Sequence, residues 1–505
     1  MSGYPVRVSA AWQRARTGPA ARRPGGPVTA DAARHRALGV LGALLLAGCG
    51  MIAGAYPEHP KDFLVSQVVG ITQLATIGAY GGLVLLVVAW IRLGRLVGVP
   101  GGPDRHDLLV TLAQWAAPLL VVPPLFSKDV YSYAAQGAMT LFHVNPYQHG
   151  PQDLASPLAN NVDQMWQATP APYGPVFLVL AGRVIAVTGE HTWPAVLGLR
   201  LLAVLGVLLM AVYVPRLARR LGVDPRSALW LGVLNPLVLI HLVGGAHNDA
   251  LLIGLLVAGL ALVLDGLPAL GVALVALALL VKAPAGLALA FCVPLWADQL
   301  RGRLRQLRAA LLVGATAIGT VAVTSTACGL GYGWVAALQT PGQVRNWLSV
   351  TTTMGQLTGL LGSWFGAGDH MDGAIAAWRG AGGLAAVVVC AVLLVRARRI
   401  GPVPAIGMGL VAVVALGPVV QPWYLLWGFV ILAAASADTG VRSLVAGGSA
   451  AMALLLMPRG GPLEPRDIVE AICVGALVLA AAVLAEWLIA SRARAAAVGT
   501  AGPDP

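Results

Sequence analysis

Charge is scarce in this 505-residue chain. Asp, Glu, Lys and Arg make up 11% of it, while 58% is hydrophobic and the mean hydropathy is +0.78. Soluble domains carry about 25% charged residues, so the shortage excludes a soluble globular protein and points to a polytopic membrane protein. Cysteine is sparse as well. The five residues, Cys49, Cys292, Cys328, Cys390 and Cys473, are scattered, mostly inside apolar runs, with no CxxC pair. They offer neither a disulfide framework nor a thiolate metal site. P-loop, GxSxG, HExxH and Asp-x-Asp patterns are missing too. The sequence is therefore read as having no metal site and no cofactor.

The net charge of +12 does not mark a nucleic-acid surface, because most of the basic residues sit in short arginine clusters between apolar spans. Runs long enough to cross about 30 Å of hydrocarbon fall at 38–56, 66–91, 108–125, 194–214, 227–243, 250–264, 267–281, 283–297, 309–327, 375–395, 402–419, 422–436, 442–457 and 467–489. The expected fold is all-α, with about 14 transmembrane helices (roughly 13–15). Residues 1–37 are expected to form a disordered basic cytoplasmic tail, 38–490 the membrane domain and 491–505 a second cytoplasmic tail. Placing both termini inside puts the clusters around Arg92, Arg219, Arg303, Arg398 and Arg492 inside as well, as the positive-inside rule requires. Counting 174–188 as a span would turn every later cluster outward. That segment, which carries Arg183, is therefore expected to lie in the outer leaflet without crossing.

The longest polar interruption, within 126–193, then faces outward. It holds Ser127-Lys128-Asp129-Val130-Tyr131-Ser132-Tyr133, Asn145-Pro146-Tyr147 and Ala171-Pro172-Tyr173-Gly174-Pro175. Turn-rich loops between rigid elements concentrate functional groups, and a carboxylate at the membrane edge is costly unless it faces a wet or protein-lined cavity. Asp129 is thus the candidate acid or base; the plainer alternative is a helix cap or an ion pair with Lys128.

Four further outward segments add polar groups. Gly245-Ala246-His247-Asn248-Asp249 leads into an apolar helix. Asp249 serves there as an N-cap, or the helix start receives an anion with His247 and Asn248 as donors. His241 reads as a satisfied interior histidine. Lys282 either snorkels to the headgroups or pins a phosphate. Arg345 is a second candidate cation, and Trp423 in Gln421-Pro422-Trp423-Tyr424 either faces a sugar or belongs to the interfacial aromatic belt.

Taken together, the motifs through Asp129, Tyr147, Tyr173 and Asp249 resemble the actinobacterial polyprenol-phosphomannose-dependent α-1,6-mannosyltransferases, the MptA/MptB kind, within the GT-C class of membrane glycosyltransferases. The likeness covers roughly residues 38–490. It implies inverting transfer of mannose from polyprenyl-phosphate-mannose to the 6-hydroxyl of a lipid-anchored α-1,6-mannan acceptor, the lipomannan and lipoarabinomannan backbone, on the extracytoplasmic side of the plasma membrane. Asp129 matches the family's loop acid, with His247 as second candidate base. Lys282, Asn248 and Arg345 would hold the donor phosphate, and Tyr131, Tyr133, Tyr173 and Trp423 would meet the sugars. The alternatives are the same fold with another polyprenyl-phosphate sugar, or a transporter or flippase for a lipid-linked sugar.

Overall fold

The computed structural model describes residues 27–57, 71–366 and 368–460, and among these it contains helices and no strand. The helices are α1 (Pro27–Ala53), α2 (Ile71–Leu96), α3 (Arg105–Ala116), α4 (Asp129–Leu141), α5 (Pro175–Thr188), α6 (Thr192–Arg220), α7 (Pro225–Gly232) and α8 (Asp249–Leu264). They continue as α9 (Pro268–Leu279), α10 (Leu287–Ala297), α11 (Arg305–Ala327), α12 (Val350–Trp364), α13 (Met371–Ile400), α14 (Pro402–Ala415), α15 (Leu426–Ala435) and α16 (Thr439–Ala453). The span expected at 467–489 and the tail at 491–505 lie outside the described residues, as do residues 1–26 of the amino-terminal tail. From Pro27 onward that tail is already helical, eleven residues ahead of the boundary expected at 38.

Among the described residues, five helices, α1, α2, α6, α11 and α13, are long and apolar enough to cross a bilayer. A sixth crossing is formed if the π-helical turn Val238–Gly244 and α8, bent by 113°, count as one broken span. The other apolar runs are cut shorter than their hydropathy suggests. Pro118, Pro236, Pro284, Pro418 and Pro422 interrupt them, since proline removes a backbone donor and clashes with the preceding turn. The 174–188 segment is indeed a short apolar helix, α5, opened by Pro175 at its first position.

Small residues draw the helices together. A Cβ on Gly206 of α6 would lie 2.2 Å from the Ala250 carbonyl carbon, and one on Gly254 of α8 would lie 2.6 Å from the Gly206 oxygen. Only glycine permits that backbone contact, the usual device of helix pairs in lipid. By contrast α11 and α13 turn most of their length outward, with Ile318, Val323, Leu384 and Val395 each at least 66% exposed. Apolar faces of that size fit contact with lipid.

Arg200 ties the core to the broken span. It is 1% exposed and donates to four carbonyls: Leu120 (2.8 Å), Val122 (2.7 Å), Val243 (3.1 Å) and Gly244 (2.9 Å). The first two precede the Asp129 segment, and the last two close the π-turn that delivers His247. One guanidinium thus fixes two strands of the chain that carry candidate site residues.

Candidate active site

Asp129 is the first residue of α4, where a negative charge is favoured by the helix dipole. The chain enters this helix through Phe126 in the left-handed region (φ 63°), and Ala246 adopts the same region (φ 55°) just before His247. Strain of this kind is held only where surrounding structure over-determines it. Here Leu125 donates to the Gly244 carbonyl (3.3 Å) and Phe126 to that of Pro458 (2.9 Å), so the two strained turns brace each other.

The Asp129 carboxylate forms no side-chain cap and no ion pair with Lys128 among the described residues. It lies 3.7 Å from Nδ1 of His247, which is also 3.2 Å from the Tyr133 hydroxyl. Burial among apolar and aromatic walls pushes the Asp129 carboxyl up to about 6, against the opposing pull of the Lys282 charge. The side chain keeps 26% exposure, and the exposed part opens into a cavity of about 290 Å3.

Ser132 and Gln136 line this cavity beside Asp129. Positions 129, 132 and 136 fall on one face of a helix. The Ser132 hydroxyl and Gln136 Oε1 are buried with no hydrogen-bond partner among the described residues, so both carry unspent hydrogen-bonding capacity beside the cavity. This stripe is legible in the helical spacing, although neither residue stands out from its local sequence.

Lys282 forms another part of the wall. It does not snorkel: it is 9% exposed, and its Nζ lies 3.0 and 3.1 Å from the two carboxylate oxygens of Asp249. Three rings surround the ammonium, Tyr424 at 4.4 Å, Trp427 at 5.5 Å and Tyr173 at 5.6 Å from their centroids. Trp427 Nε1 donates to Asp249 at 2.6 Å and stacks on Tyr424 at 4.5 Å. Asp249 therefore makes no side-chain cap of α8; it turns aside to the lysine. Tyr424 belongs to the turn expected to face a sugar or the interface, in which sequence singles out Trp423; Trp427 lies beyond that turn, and spacing alone does not distinguish it from the aromatic belt.

Tyr173 reaches the cavity because Gly174 docks on the end of α9. The Gly174 N–H donates to the Val281 carbonyl (3.1 Å), and a Cβ there would come within 2.0 Å of the Leu280 oxygen. Burial holds the Tyr173 phenol well above its ordinary range, which keeps it a neutral donor.

Of the nine residues singled out by sequence, Asp129, Tyr173 and Lys282 line the cavity. His247 stands in the layer behind Asp129, fully buried and stacked on Trp423 with centroids 4.0 Å apart. Tyr133 packs edge-on against Tyr173 and Phe177. Tyr131 donates instead to the Ala55 carbonyl at 2.8 Å. Asn248 is 2% exposed, and neither atom of its side-chain amide has a partner among the described residues. His241 is interior, as expected, but not satisfied: neither ring nitrogen has a partner among those residues. Arg345 turns to the surface, where it pairs with Asp372 at 2.6 Å, although its neighbour Val344 lines the cavity.

Asp104, His106 and Asp107 come close enough together to hold a metal ion, but they belong to the start of α3. There Asp104 and Asp107 form a capping box. The cavity itself combines a carboxylate of raised basicity, a caged ammonium, unpartnered oxygen atoms and aromatic walls. Such a set can take a proton from a hydroxyl while an anion departs.

Comparison with known proteins agrees with this chemistry. Residues 36–298 match the family model described as alpha-(1→6)-mannopyranosyltransferase, N-terminal domain, and residues 351–486 match the MptB C-terminal domain. A probable alpha-(1→6)-mannopyranosyltransferase of Mycolicibacterium smegmatis is 35% identical, covering 90% of this chain and 88% of that protein. An alpha-(1→6)-mannopyranosyltransferase of Mycobacterium tuberculosis is 34% identical over 88% of this chain and 86% of its own length. Alpha-(1→6)-mannopyranosyltransferase B of Corynebacterium glutamicum is 32% identical over 90% and 81%. No solved structure matches the chain. With the family models covering most of the chain and relatives matched over most of their lengths, this protein is a membrane-associated mannosyltransferase and belongs to the alpha-(1→6)-mannopyranosyltransferase family.

Proposed function

We propose that the protein transfers mannose, with inversion, from polyprenyl-phosphate-mannose to the 6-hydroxyl of a lipid-anchored α-1,6-mannan. The acceptor oxygen attacks C1 of the β-linked donor. Its proton passes to Asp129, and the C1–O bond breaks with its electron pair leaving on the lipid phosphate. The observation that carries this reading is that Asp129 and Lys282 share one cavity, a base near neutrality beside a cation. Lys282 directs part of its three-donor ammonium to the Asp249 carboxylate and retains N–H capacity for the departing phosphate. His247 orients the Asp129 carboxylate from behind. Tyr173, Ser132 and Gln136 meet sugar hydroxyls, and Tyr424 and Trp427 present faces to the rings.

The same reading places the cavity on the extracytoplasmic side of a plasma-membrane protein of GT-C type, with both termini cytoplasmic. The domain is assigned to 38–490, with 126–193 as its catalytic loop. About fourteen crossings are assigned to it, with short helices joined to adjoining 3-10 segments, as at Ala283–Ala297 and Pro422–Ala435, counted among them. A donor carried by the lipid suits that location, since cytosolic nucleotide sugars do not reach it.

The test is an in-vitro assay offering purified protein several polyprenyl-phosphate sugars and a short mannoside acceptor, without any gradient. Mannose transfer with formation of an α-1,6 bond is the expected result. Transfer of another sugar would keep the fold and change the donor. No transfer, with the donor moved across vesicles instead, would establish a flippase.

A further inference from the structure

The transfer chemistry leaves one cation of α5 unused. Arg183 is exposed on an otherwise apolar helix and has no hydrogen bond or ion pair among the described residues. It lines a second cavity, of about 490 Å3, together with Thr140, His143 and Asn145. His143 ends α4 in the left-handed region (φ 57°), which sets the imidazole at the cavity edge. Asn145 Oδ1 is engaged by the Tyr147 N–H at 3.0 Å, leaving the amide nitrogen to donate. The Thr140 hydroxyl already donates to Gly137. Among the described residues, no Asp or Glu lines this cavity. The free polar capacity is thus a permanent positive charge with neighbouring donors, the chemistry that receives a phosphate.

Position narrows the ligand further. The remaining wall runs through Ala327, Cys328 and Leu330, at the end of α11. That helix has 23 residues and presents Ile318 and Val323, each 71% exposed. At 1.5 Å per residue it is about 34 Å long, enough to cross the hydrocarbon. Its end, and hence this cavity, falls at headgroup depth. Along α4, Asp129 and Leu141 are twelve residues apart, about 18 Å. A donor phosphate bonded directly to the reacting C1 cannot occupy both places. We propose that the cleft between α4, α5 and the end of α11 binds the phosphate of an anionic membrane phospholipid distinct from the sugar donor, with Arg183 as its principal contact. This rests on the lipid-facing placement of α11, not on the donor assigned above.

The test is native mass spectrometry of the full chain, exchanged from nanodiscs containing equal phosphatidylglycerol and phosphatidylcholine. The parent should retain phosphatidylglycerol in preference. Arg183→Gln should weaken that retention at least about tenfold, the loss of one charge-assisted contact, and Arg183→Lys should keep part of it. In phosphatidylcholine alone, thermal unfolding of the three proteins should coincide, since Arg183 is exposed. Inorganic phosphate at millimolar concentration should not displace the lipid. Equal retention by parent and Arg183→Gln, or equal retention of the two lipids by the parent, would overturn the proposal. Full displacement by inorganic phosphate would overturn the lipid source and assign the cleft to a free anion. None of these outcomes depends on mannose transfer.

Discussion

Lys282 meets both carboxylate oxygens of Asp249 at 3.0 and 3.1 Å inside a cage of Tyr173, Tyr424 and Trp427. The lysine is therefore tied into the cavity wall as well as available to a ligand, and its two roles separate by mutation. Lys282→Met leaves Asp249 buried without its cation, which costs about 3–5 kcal/mol. Adding Asp249→Asn removes the stranded charge and should restore much of the thermal stability. Donor affinity should stay low in the double variant. Recovery of donor affinity along with stability would reduce Lys282 to a purely structural post.

The acid limb of transfer should follow Asp129. A base must be ionised to accept a proton, and this carboxyl sits at about 6, so kcat/KM should fall as pH drops through about 6. The Lys282 charge favours the ionised form; its removal raises the pKa. In the Lys282→Met/Asp249→Asn protein the loss of Asp249 acts in the opposite direction, so the limb should move less there than in Lys282→Met alone. Coincident limbs in all three proteins would separate Asp129 from these charges.

Arg200 should act on the site without touching substrate. Arg200→Met strips the guanidinium donor from the carbonyls of Leu120, Val122, Val243 and Gly244. Val243 and Gly244 keep backbone donors from Ala246 and Leu125, so the cost of about 1–3 kcal/mol for each buried unpartnered group falls on the carbonyls of Leu120 and Val122. Arg200→Lys restores only part of the set, since an ammonium lacks the guanidinium fork. Among molecules that remain folded, turnover should fall more than donor affinity. Unchanged turnover in a destabilised protein would confine Arg200 to folding.

Topology is open to labelling. In a cysteine-free background, single cysteines replacing the exposed Asn160 and Asp369 should react with an impermeant thiol reagent in intact cells. One replacing the exposed Arg219 should react only after permeabilisation. The reverse pattern would put the cavity on the cytoplasmic side.

Part of the candidate site could be read from sequence because it resides in short polar motifs within apolar surroundings. Asp129, Tyr173 and Lys282 announced themselves as lone polar or turn-bound residues and do line one cavity. What escaped depends on three-dimensional placement. Nothing local distinguishes Tyr424 from Trp423, yet the first lines the cavity and the second lies under His247. Arg345 has the same charge as Lys282 but finds Asp372 at the surface. Tyr131 and Tyr133 alternate as neighbours, and helical geometry sends one to Ala55 and the other to His247. Helix lengths were harder to read for a simpler reason: hydropathy counts apolar residues, whereas prolines such as Pro236 and Pro284 decide how long a helix runs.

The central claim is that Asp129 takes the acceptor proton. Asp129→Asn keeps the shape of the side chain and cannot be a base at neutral pH. Because it removes a charge whose burial is unfavourable, the variant should be at least as stable as the parent. The decisive measurement is kcat of mannose transfer by purified, folded Asp129→Asn at pH 7.5 with both substrates saturating. Removal of general-base catalysis predicts a loss of about 10²–10⁴-fold with the acid limb near pH 6 abolished in the residual rate. Turnover within a few-fold of the parent, with that limb intact, would contradict the claim and pass the role to His247.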